Sequence, residues 1–157
     1  MDITSSYMFA ALPDQVWNLL IDPGVVASCL PGCEELKPLG DDRYRAELTL
    51  AVASIAGRYA GTVAILDKQP PRSYRLTIEG NGTPGFVNGE AFVELTAEGS
   101  STRVDVRGHA HVGGLIARVG QRLLTGASKM MMDRFFACLQ GRVTGIAQPS
   151  TSNDAPS

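Results

Sequence analysis

The chain has 157 residues, a length typical of one domain with a substantial core, and 44% of them are hydrophobic. Its formal net charge of -2 gives no electrostatic basis for binding to nucleic acid or to an anionic membrane surface. No apolar run approaches the roughly 20 residues that span a bilayer, and the N-terminus lacks the basic-then-apolar pattern of a signal peptide. We therefore expect a cytoplasmic protein whose three cysteines, Cys29, Cys33 and Cys138, are free thiols.

The first elements are predicted to be a strand and two short helices. Residues 2–9 alternate between polar and apolar types, as a half-buried strand does. Pro13 suits the first turn of a helix, because its missing N–H would have no intrahelical partner there. Asp22-Pro23-Gly24 ends this helix, whose apolar face comprises Val16, Trp17, Leu19 and Leu20. Residues 25–30 are predicted to form the second helix, which Pro31-Gly32 terminates.

The long central region is predicted to consist of strands. Apolar residues occupy every second position of five segments, namely residues 44–52, 59–65, 74–78, 91–95 and 104–112. This alternation is typical of a sheet with one solvent-facing side. The connections between the segments are short, which favours antiparallel pairing, because a parallel crossover needs a dozen or more residues.

One long helix is predicted to close the domain, from about Gly114 to Leu139. Its apolar residues recur at steps of three and four, and Gly141 follows as a terminator. We therefore place a single domain at residues 1–141. Residues 142–157 are rich in Ser, Thr, Asn, Pro and Asp and are predicted to be a disordered tail.

The pattern predicts an apolar cavity between the sheet and the closing helix. Tyrosines recur at corresponding places in three strands, where a ring with a polar tip suits either a cavity wall or an ordinary strand edge. The Met130–Met132 cluster suits either core filling or a pocket for a flexible ligand. Glycines between 80 and 89 either bend the sheet or make room for a ligand, and the two interpretations carry equal weight. The predicted ligand-binding residues are Tyr44, Leu48, Tyr59, Val63, Tyr74, Leu76, Phe86, Phe92, Val119, Leu123, Met130 and Met131.

No metal site is predicted. Cys29 and Cys33 have no neighbouring cysteine pair or histidine to complete the four ligands that zinc prefers. His109 and His111 are two residues apart on a predicted strand, so both point to one face, which is the charged, solvent-facing one. A surface histidine pair is therefore the favoured interpretation.

No catalytic residue is predicted either. The sequence contains no Gly-x-Ser-x-Gly, no His-Glu-x-x-His and no phosphate-binding loop opening a helix. An enzyme of this size would need a carboxylate, histidine or tyrosine with a perturbed pKa inside the cavity. Glu90 and Asp133 are the residues whose position the pattern settles least.

The order strand, two helices, antiparallel strands and long helix resembles the START-like, helix-grip (SRPBCC) superfamily. Within it, the local sequence is similar to the CoxG family of carbon monoxide dehydrogenase subunits over about residues 1–140. The most specific segment is Leu30-Pro31-Gly32-Cys33-Glu34-Glu35-Leu36, and weaker support comes from residues 1–3, 13–17, 70–74, 85–89 and 112–115. The resemblance implies an α+β fold, with a curved antiparallel sheet of about six strands around a long C-terminal helix.

The resemblance also implies a function. It indicates a non-catalytic accessory protein of a carbon monoxide dehydrogenase-type molybdenum hydroxylase, which aids recruitment of that enzyme to the membrane or its electron transfer. No resident cofactor is expected, but a lipophilic small molecule is, and a respiratory quinone is the specific hypothesis. The predicted partner-binding residues are Leu30, Pro31, Gly32 and Cys33.

Several alternatives stay open at this point. The protein could recruit its partner without any ligand, or it could be a small-molecule enzyme, since related folds host cyclases and hydratases. Peripheral association with the inner face of the membrane and a homodimer are also compatible with the sequence.

Overall fold

The computed structural model describes residues 1–51 and 55–147, which form seven strands, three α-helices and one 3-10 helix. The strands are β1 Asp2–Phe9, β2 Cys33–Gly40, β3 Arg43–Leu50, β4 Gly57–Gln69, β5 Ser73–Gly82, β6 Gly85–Glu98 and β7 Ser101–Gly113. The helices are α1 Pro13–Ile21, α2 Pro23–Cys29 and α3 Gln121–Ala147, and the 3-10 helix Leu115–Val119 precedes α3. All pairings are antiparallel, in the order β1-β7-β6-β5-β4-β3-β2. The predicted α+β helix-grip fold is confirmed.

The sheet has one strand that the sequence pattern did not reveal, β2. It lies at an edge of the sheet and pairs only with β3, and its register shifts near Pro38. A proline and several charged residues are tolerated on an edge strand, because one side of its backbone has no partner. These residues remove the period-two signal, so the strand was not predicted. The predicted extension of the next strand to Val52 lies outside the described residues.

Alternation along the strands gives the sheet a concave face, which carries the helices, and a convex face. On β6 the concave residues Val93 and Leu95 are buried, whereas Phe92 beside them is exposed on the convex face. The convex face carries ion pairs between neighbouring strands, such as that of Arg75 with Glu90. The strands other than β2 are therefore mostly apolar on the side that the helices cover, as the sequence predicts.

One half of the concave face is covered tightly, and we call it the closed half. There α1 packs on β6 and β7, the second half of α3 packs on β1, and α2 packs against α1, α3 and β2. The Phe136 ring stacks on Tyr7 with 4.1 Å between centroids, and the Trp17 ring meets Tyr74 edge-on at 5.4 Å. The most deeply buried residues of this half include Phe9, Val16, Val104, Leu139 and Val143.

The closing helix differs from its predicted bounds at both ends. The segment after Gly114 is first a 3-10 helix, and α3 then runs to Ala147 rather than ending near Gly141. Apolar contacts continue past Gly141, because Val143 is 2% exposed and packs into the core. The helix therefore includes residues 142–147 of the predicted tail 142–157, and the rest of that tail, from 148 onward, lies outside the described residues. No described helix is long and apolar enough to cross a membrane.

The expectation of three free thiols is wrong. Cys29 at the end of α2 and Cys138 on α3 form a disulfide, with 5.4 Å between their Cα atoms. The two residues are 109 positions apart in sequence, so only the packing of α2 on α3 brings them together. Cys33 is a free thiol.

Candidate functional site

An apolar cleft lies between the concave face and the first half of α3, and it has a volume of about 210 Å³. Strands β1, β5, β6 and β7 form its floor, and Ser128 and Met132 border it from α3. The cleft is partly open, since Ile78 on its floor is 38% exposed. Further apolar lining residues are Ile3, Val87, Ala91 and Val106.

The cleft exists because this part of its floor lacks bulky side chains. Gly89 pairs directly with Ala110, and Ala91 pairs with Gly108, so four small residues meet on two neighbouring strands. All four line the cleft. One row further along, the paired residues are Val93 and Val106, which the helices cover. The floor is therefore packed where valines occupy these positions and open where glycine and alanine do.

Five of the predicted ligand-binding residues lie on the concave face beside or near the cleft. Tyr44 pairs with Val63, and Leu48 pairs with Tyr59. Leu76 pairs with Ala91 on the cleft floor. The Tyr59 hydroxyl donates a hydrogen bond of 2.7 Å to the backbone carbonyl of Ile55, and burial raises its pKa. These side chains are half-buried and form the continuation of the apolar surface from the cleft toward β3.

Tyr74 lies on the same face but in the closed half. It is 6% exposed and packs against Trp17, and burial raises its pKa strongly. Its ring is therefore a core residue between α1 and the sheet, away from the cleft.

The remaining predicted ligand-binding residues lie elsewhere. Phe92 is on the convex face under the Arg107 guanidinium, and Phe86 covers Gly113 on that same face. Both phenylalanines fall one residue out of phase with the concave positions of β6, so their side chains point away from the cleft. Leu123 is 61% exposed on the first turn of α3. The half-buried residues Val119, Met130 and Met131 do not line the cleft, and the methionine of α3 that does is Met132.

Sequence reasoning considered Gly89 as possible space for a ligand, but it missed Ala91, Gly108 and Ala110 of the floor and the helix residue Ser128. A usable signal was present, because Gly89, Ala91, Gly108 and Ala110 occupy the same alternate positions as the buried valines of β6 and β7. Small residues in an otherwise bulky, inward-facing series indicate space above the sheet. Which residues of α3 border that space depends on the rotation of the helix, which the sequence does not define.

Next to the cleft residue Met132 on α3, Asp133 forms a pair with Tyr7 of β1. The Tyr7 hydroxyl donates a hydrogen bond of 2.6 Å to Asp133 Oδ1, which Lys129 also approaches at 3.4 Å. Burial, together with this carboxylate, raises the pKa of Tyr7 to about 12. The Tyr7 hydrogen bond, and then Lys129, lower the pKa of Asp133. Near neutral pH the pair is therefore a protonated phenol and an ionised carboxylate, which stabilise each other.

The other titratable candidates are on the convex face. Glu90 accepts a hydrogen bond of 2.7 Å from Arg75, and Asp67 and then Glu90 raise the pKa of that guanidinium. His109 and His111 are exposed on β7, opposite Glu90 and Asn88. Within residues 1–51 and 55–147, no group of three His, Cys, Asp or Glu residues is arranged to hold a metal ion.

The predicted partner-binding loop, residues 30–33, is hydrogen-bonded to β3. The Thr49 N–H donates to the Gly32 carbonyl at 2.9 Å, and a Cβ on Gly32 would lie 2.2 Å from the Thr49 carbonyl oxygen. Gly32 also has φ of +77°, which favours glycine. The Cys33 thiol contacts the Glu35 carbonyl, and burial raises its pKa. The loop is a fixed, partly exposed surface.

Comparison with known proteins identifies the family. The family model for CoxG, described as a carbon monoxide dehydrogenase subunit, matches residues 7–144. A solved structure of a conserved protein from Geobacillus kaustophilus is 33% identical, has a TM-score of 0.90, and the match covers 92% of this chain and 96% of that one. No curated protein matches the sequence.

More distant solved structures share the fold. A START superfamily protein from Mycobacterium smegmatis is 12% identical with a TM-score of 0.73, and the match covers 92% of this chain and 98% of that one. The Zhui aromatase/cyclase from Streptomyces sp. R1128 is 16% identical with a TM-score of 0.68, covering 92% and 93%. At these identities the likeness concerns the fold alone.

Proposed function

The chain belongs to the CoxG family of carbon monoxide dehydrogenase subunits, and from this membership and the cleft we propose that it is a non-catalytic accessory protein of a carbon monoxide dehydrogenase-type molybdenum hydroxylase. In this role it holds a lipophilic molecule in the cleft and aids recruitment of the hydroxylase to the membrane or its electron transfer. The apolar cleft is the observation on which the proposal depends.

The lining of the cleft favours an uncharged, apolar ligand. Its lining consists mostly of aliphatic side chains and small residues; Ser128 adds a hydroxyl, and Glu90 and His109 border it from the convex-face series. Glu90 at its border is bound by Arg75 at 2.7 Å. A charged ligand would lose its hydration in this space without gaining a free opposite charge, which is unfavourable.

The size of the cleft limits what enters it. Its volume of about 210 Å³ is below the roughly 300–1,000 Å³ of pockets that enclose a drug-sized molecule. A single ring system with short substituents fits, and a longer chain would extend over the half-buried surface toward β3. We infer that a respiratory quinone, with a flat head group and an apolar tail, is the specific ligand.

The expected affinity is modest. Burying about 300 Å² of apolar ligand surface contributes roughly 7 kcal/mol at about 25 cal/mol/Å². The loss of ligand freedom cancels part of this, so we expect a Kd that is micromolar or weaker. A protein that must release its ligand to a partner functions well at such an affinity.

The fixed loop at residues 30–33 favours a second candidate function, recruitment of the hydroxylase without a ligand. A preformed, partly exposed loop loses little conformational freedom when a partner binds it. The two candidates differ in one respect: a protein that only recruits would still capture the hydroxylase after the cleft is filled.

Acid–base catalysis in the cleft is the least supported role. A tyrosine with a pKa of about 12, such as Tyr7, is a poor base near neutral pH, and its partner Asp133 is an ionised carboxylate at that pH. Glu90 and both histidines belong to the convex-face series, Glu90 and His109 only border the cleft, and Glu90 is bound by Arg75 at 2.7 Å.

The first experiment is organic extraction of the purified protein, followed by mass spectrometry of the extract. We expect a stoichiometric quinone or another neutral lipid. An empty extract, combined with no rise in Tm on adding ubiquinone-1, would contradict the carrier role and leave recruitment as the function.

The second experiment tests the location of the ligand. Ala91→Phe places a ring in the cleft, whereas Asn88→Phe adds the same ring to the convex face of the same strand. We expect the Kd for ubiquinone-1, measured by fluorescence quenching, to rise at least tenfold in Ala91→Phe and to stay unchanged in Asn88→Phe. Ala110→Leu serves as a second filling variant if Ala91→Phe alters the circular dichroism spectrum. Unchanged binding in both filled variants would place the ligand elsewhere.

A further inference from the structure

The two edge strands of the sheet, β1 and β2, differ in how well they resist pairing with another strand. The β2 edge carries Pro38, which has no N–H to donate, and its register shifts twice. It also carries the charged residues Glu34, Glu35 and Lys37. Proline, irregular register and charge are the features that keep an edge strand from pairing with another chain. The β1 edge lacks all three, since its eight residues pair with β7 without a register shift and Asp2 is its single charged residue.

Half of the main-chain groups of β1 point away from the sheet. The Met1 amino group donates to the Ala110 carbonyl at 3.0 Å, and the Ala110 N–H donates back to the Met1 carbonyl at 2.9 Å. In an antiparallel pair, such doubly bonded rows alternate with rows whose main-chain groups point to the other side. The N–H and C=O groups of Asp2, Thr4 and Ser6 therefore point outward. Within residues 1–51 and 55–147, none of these groups has a hydrogen-bond partner.

The open stretch of this edge runs from Asp2 to Ser6. At Met8 the outward carbonyl accepts a hydrogen bond of 2.7 Å from the Gln140 side chain of α3, which occupies that end of the strand. The side chains of Asp2, Thr4 and Ser6 are exposed, so solvent reaches the open stretch. Exposed main-chain groups without partners are a template on which another strand can pair.

We propose that two copies of the chain pair through their β1 edges, antiparallel about a two-fold axis beside Thr4. Thr4 of one copy then faces Thr4 of the other, and Asp2 faces Ser6. Each of these rows forms two main-chain hydrogen bonds. The Thr4 pair adds a favourable contact between side chains across the two strands. The two seven-stranded sheets become one continuous sheet.

Charge and symmetry favour a second copy of the chain as the occupant of this edge. Antiparallel pairing about Thr4 keeps the two Asp2 carboxylates roughly 14 Å apart along the strands. That spacing exceeds the screening length of about 8 Å, so the two charges do not oppose the contact. A partner strand selected by charge would find no matching charge pattern in the open stretch. A second copy matches it in length and polarity, and a two-fold dimer is the commonest closed assembly.

The contact is small, so the dimer is weak. It involves one strand edge from each copy and buries less than the roughly 1,200–2,000 Å² of a standard stable interface. We therefore expect a transient dimer with a Kd of roughly 10–100 μM. The inference does not depend on the proposed ligand, because the edge of β1 is separate from the lining of the cleft that the ligand would contact.

The test is analytical ultracentrifugation of the full chain without an N-terminal tag, from about 5 to about 500 μM. We expect wild type to change from monomer to dimer over this range. Thr4→Pro removes the outward N–H without removing a bond to β7, and Thr4→Lys places two lysines opposite each other. Each variant should raise the dimer Kd at least tenfold.

Two matched variants serve as controls. Thr4→Val keeps every main-chain hydrogen bond of the contact. Thr96→Lys adds the same charge to an exposed position of β6, two strands away from the edge. Both variants should form the dimer as wild type does, because the contact is made by the main chain of β1.

A cysteine variant tests the register of the pairing. Thr4→Cys in a Cys33→Ser background brings two thiols to the two-fold axis. The Cα atoms of one such row are about 5.5 Å apart, which suits a disulfide. We expect mild oxidation with diamide to give a covalent dimer on a denaturing gel, and a thiol reductant to return the monomer. Thr96→Cys in the same background is the control and should stay largely monomeric.

Each outcome supports or overturns the β1 contact. A wild-type monomer at every concentration would overturn it, as would a dimer that Thr4→Lys and Thr4→Pro leave intact. A loss in Thr4→Val as large as that in Thr4→Lys would also overturn it. Circular dichroism shows whether each variant folds. If Thr4→Pro does not fold, then Thr4→Lys and the cysteine variant decide.

Discussion

The two halves of the concave face are built from the same strands but are packed in opposite ways. In the closed half, Val93 and Val106 are buried in the core to which α1 and α3 contribute, and Val106 also reaches the edge of the cleft. In the open half, the next inward-facing residue pairs along β6 and β7 consist of glycine and alanine, and the cleft lies above them. The helix α3 spans both halves, with Leu139 fully buried at one end and Leu123 exposed at the other.

This difference in packing indicates how a small protein combines stability with an open cavity. Close packing, the disulfide and the aromatic contacts are concentrated in the closed half. The open half can then leave apolar surface uncovered without losing the fold. If this division holds, substitutions in the closed half should change stability, and substitutions in the open half should chiefly change binding.

The largest expected difference is between two leucines on the same helix. Leu139→Ala should lower the free energy of unfolding by about 3 kcal/mol, because it leaves a cavity in a packed core. Leu123→Ala should change it by less than about 0.5 kcal/mol, because the side chain is already in solvent. Urea denaturation followed by circular dichroism measures both values. Equal losses in the two variants would show that the division along α3 is wrong.

The disulfide is the next test of the closed half. It joins residues 109 positions apart, and removing it with Cys29→Ser/Cys138→Ser should cost about 2–4 kcal/mol. Cys33→Ser is the matched control, since Cys33 is a free thiol on β2, and it should leave Tm nearly unchanged. Thiol titration of the unfolded, unreduced protein should find one free thiol, and three would contradict the bond.

These contrasts also explain how far the sequence could predict the structure. Alternation and helical periodicity predicted the fold, because one face of each strand and helix is apolar, as at Val104 and Leu139. Contacts between distant segments were invisible to that reasoning, and the Cys29–Cys138 bond was missed for this reason.

The candidate site was predicted less well than the fold. The concave positions Tyr44 and Val63 follow from alternation, but Phe92 was assigned to the cavity although it is one residue out of phase. The side of α3 that borders the cleft, with Ser128 and Met132, depends on how the helix rotates when it packs. The sequence pattern carries no information on that rotation.

Two paired glycines of the concave face differ in how closely the neighbouring backbone approaches them. Gly61 and Gly80 face each other on β4 and β5. A Cβ on Gly61 would lie 2.1 Å from the Glu79 carbonyl oxygen, whereas a Cβ on Gly80 meets nothing closer than 4.0 Å. We expect Gly61→Ala to lose about 1–3 kcal/mol of stability through this clash. Gly80→Ala should stay within about 0.5 kcal/mol of wild type or gain slightly. Similar Tm values for the two variants would contradict the geometry.

The smallest expected effect on stability concerns the hydrogen bond from Tyr7 of β1 to Asp133 of α3. The folded protein lowers the pKa of Asp133, chiefly through the Tyr7 hydrogen bond, so the ionised carboxylate stabilises the fold above its unfolded pKa of about 3.9. This contribution is lost as pH falls through the folded value. Asp133→Asn should therefore have a lower Tm than wild type at pH 7, and the gap should close below about pH 4. Glu79→Gln, on the exposed convex face, controls for the general loss of one negative charge. A gap that is constant across this pH range would mean that the Asp133 charge contributes nothing to holding Tyr7.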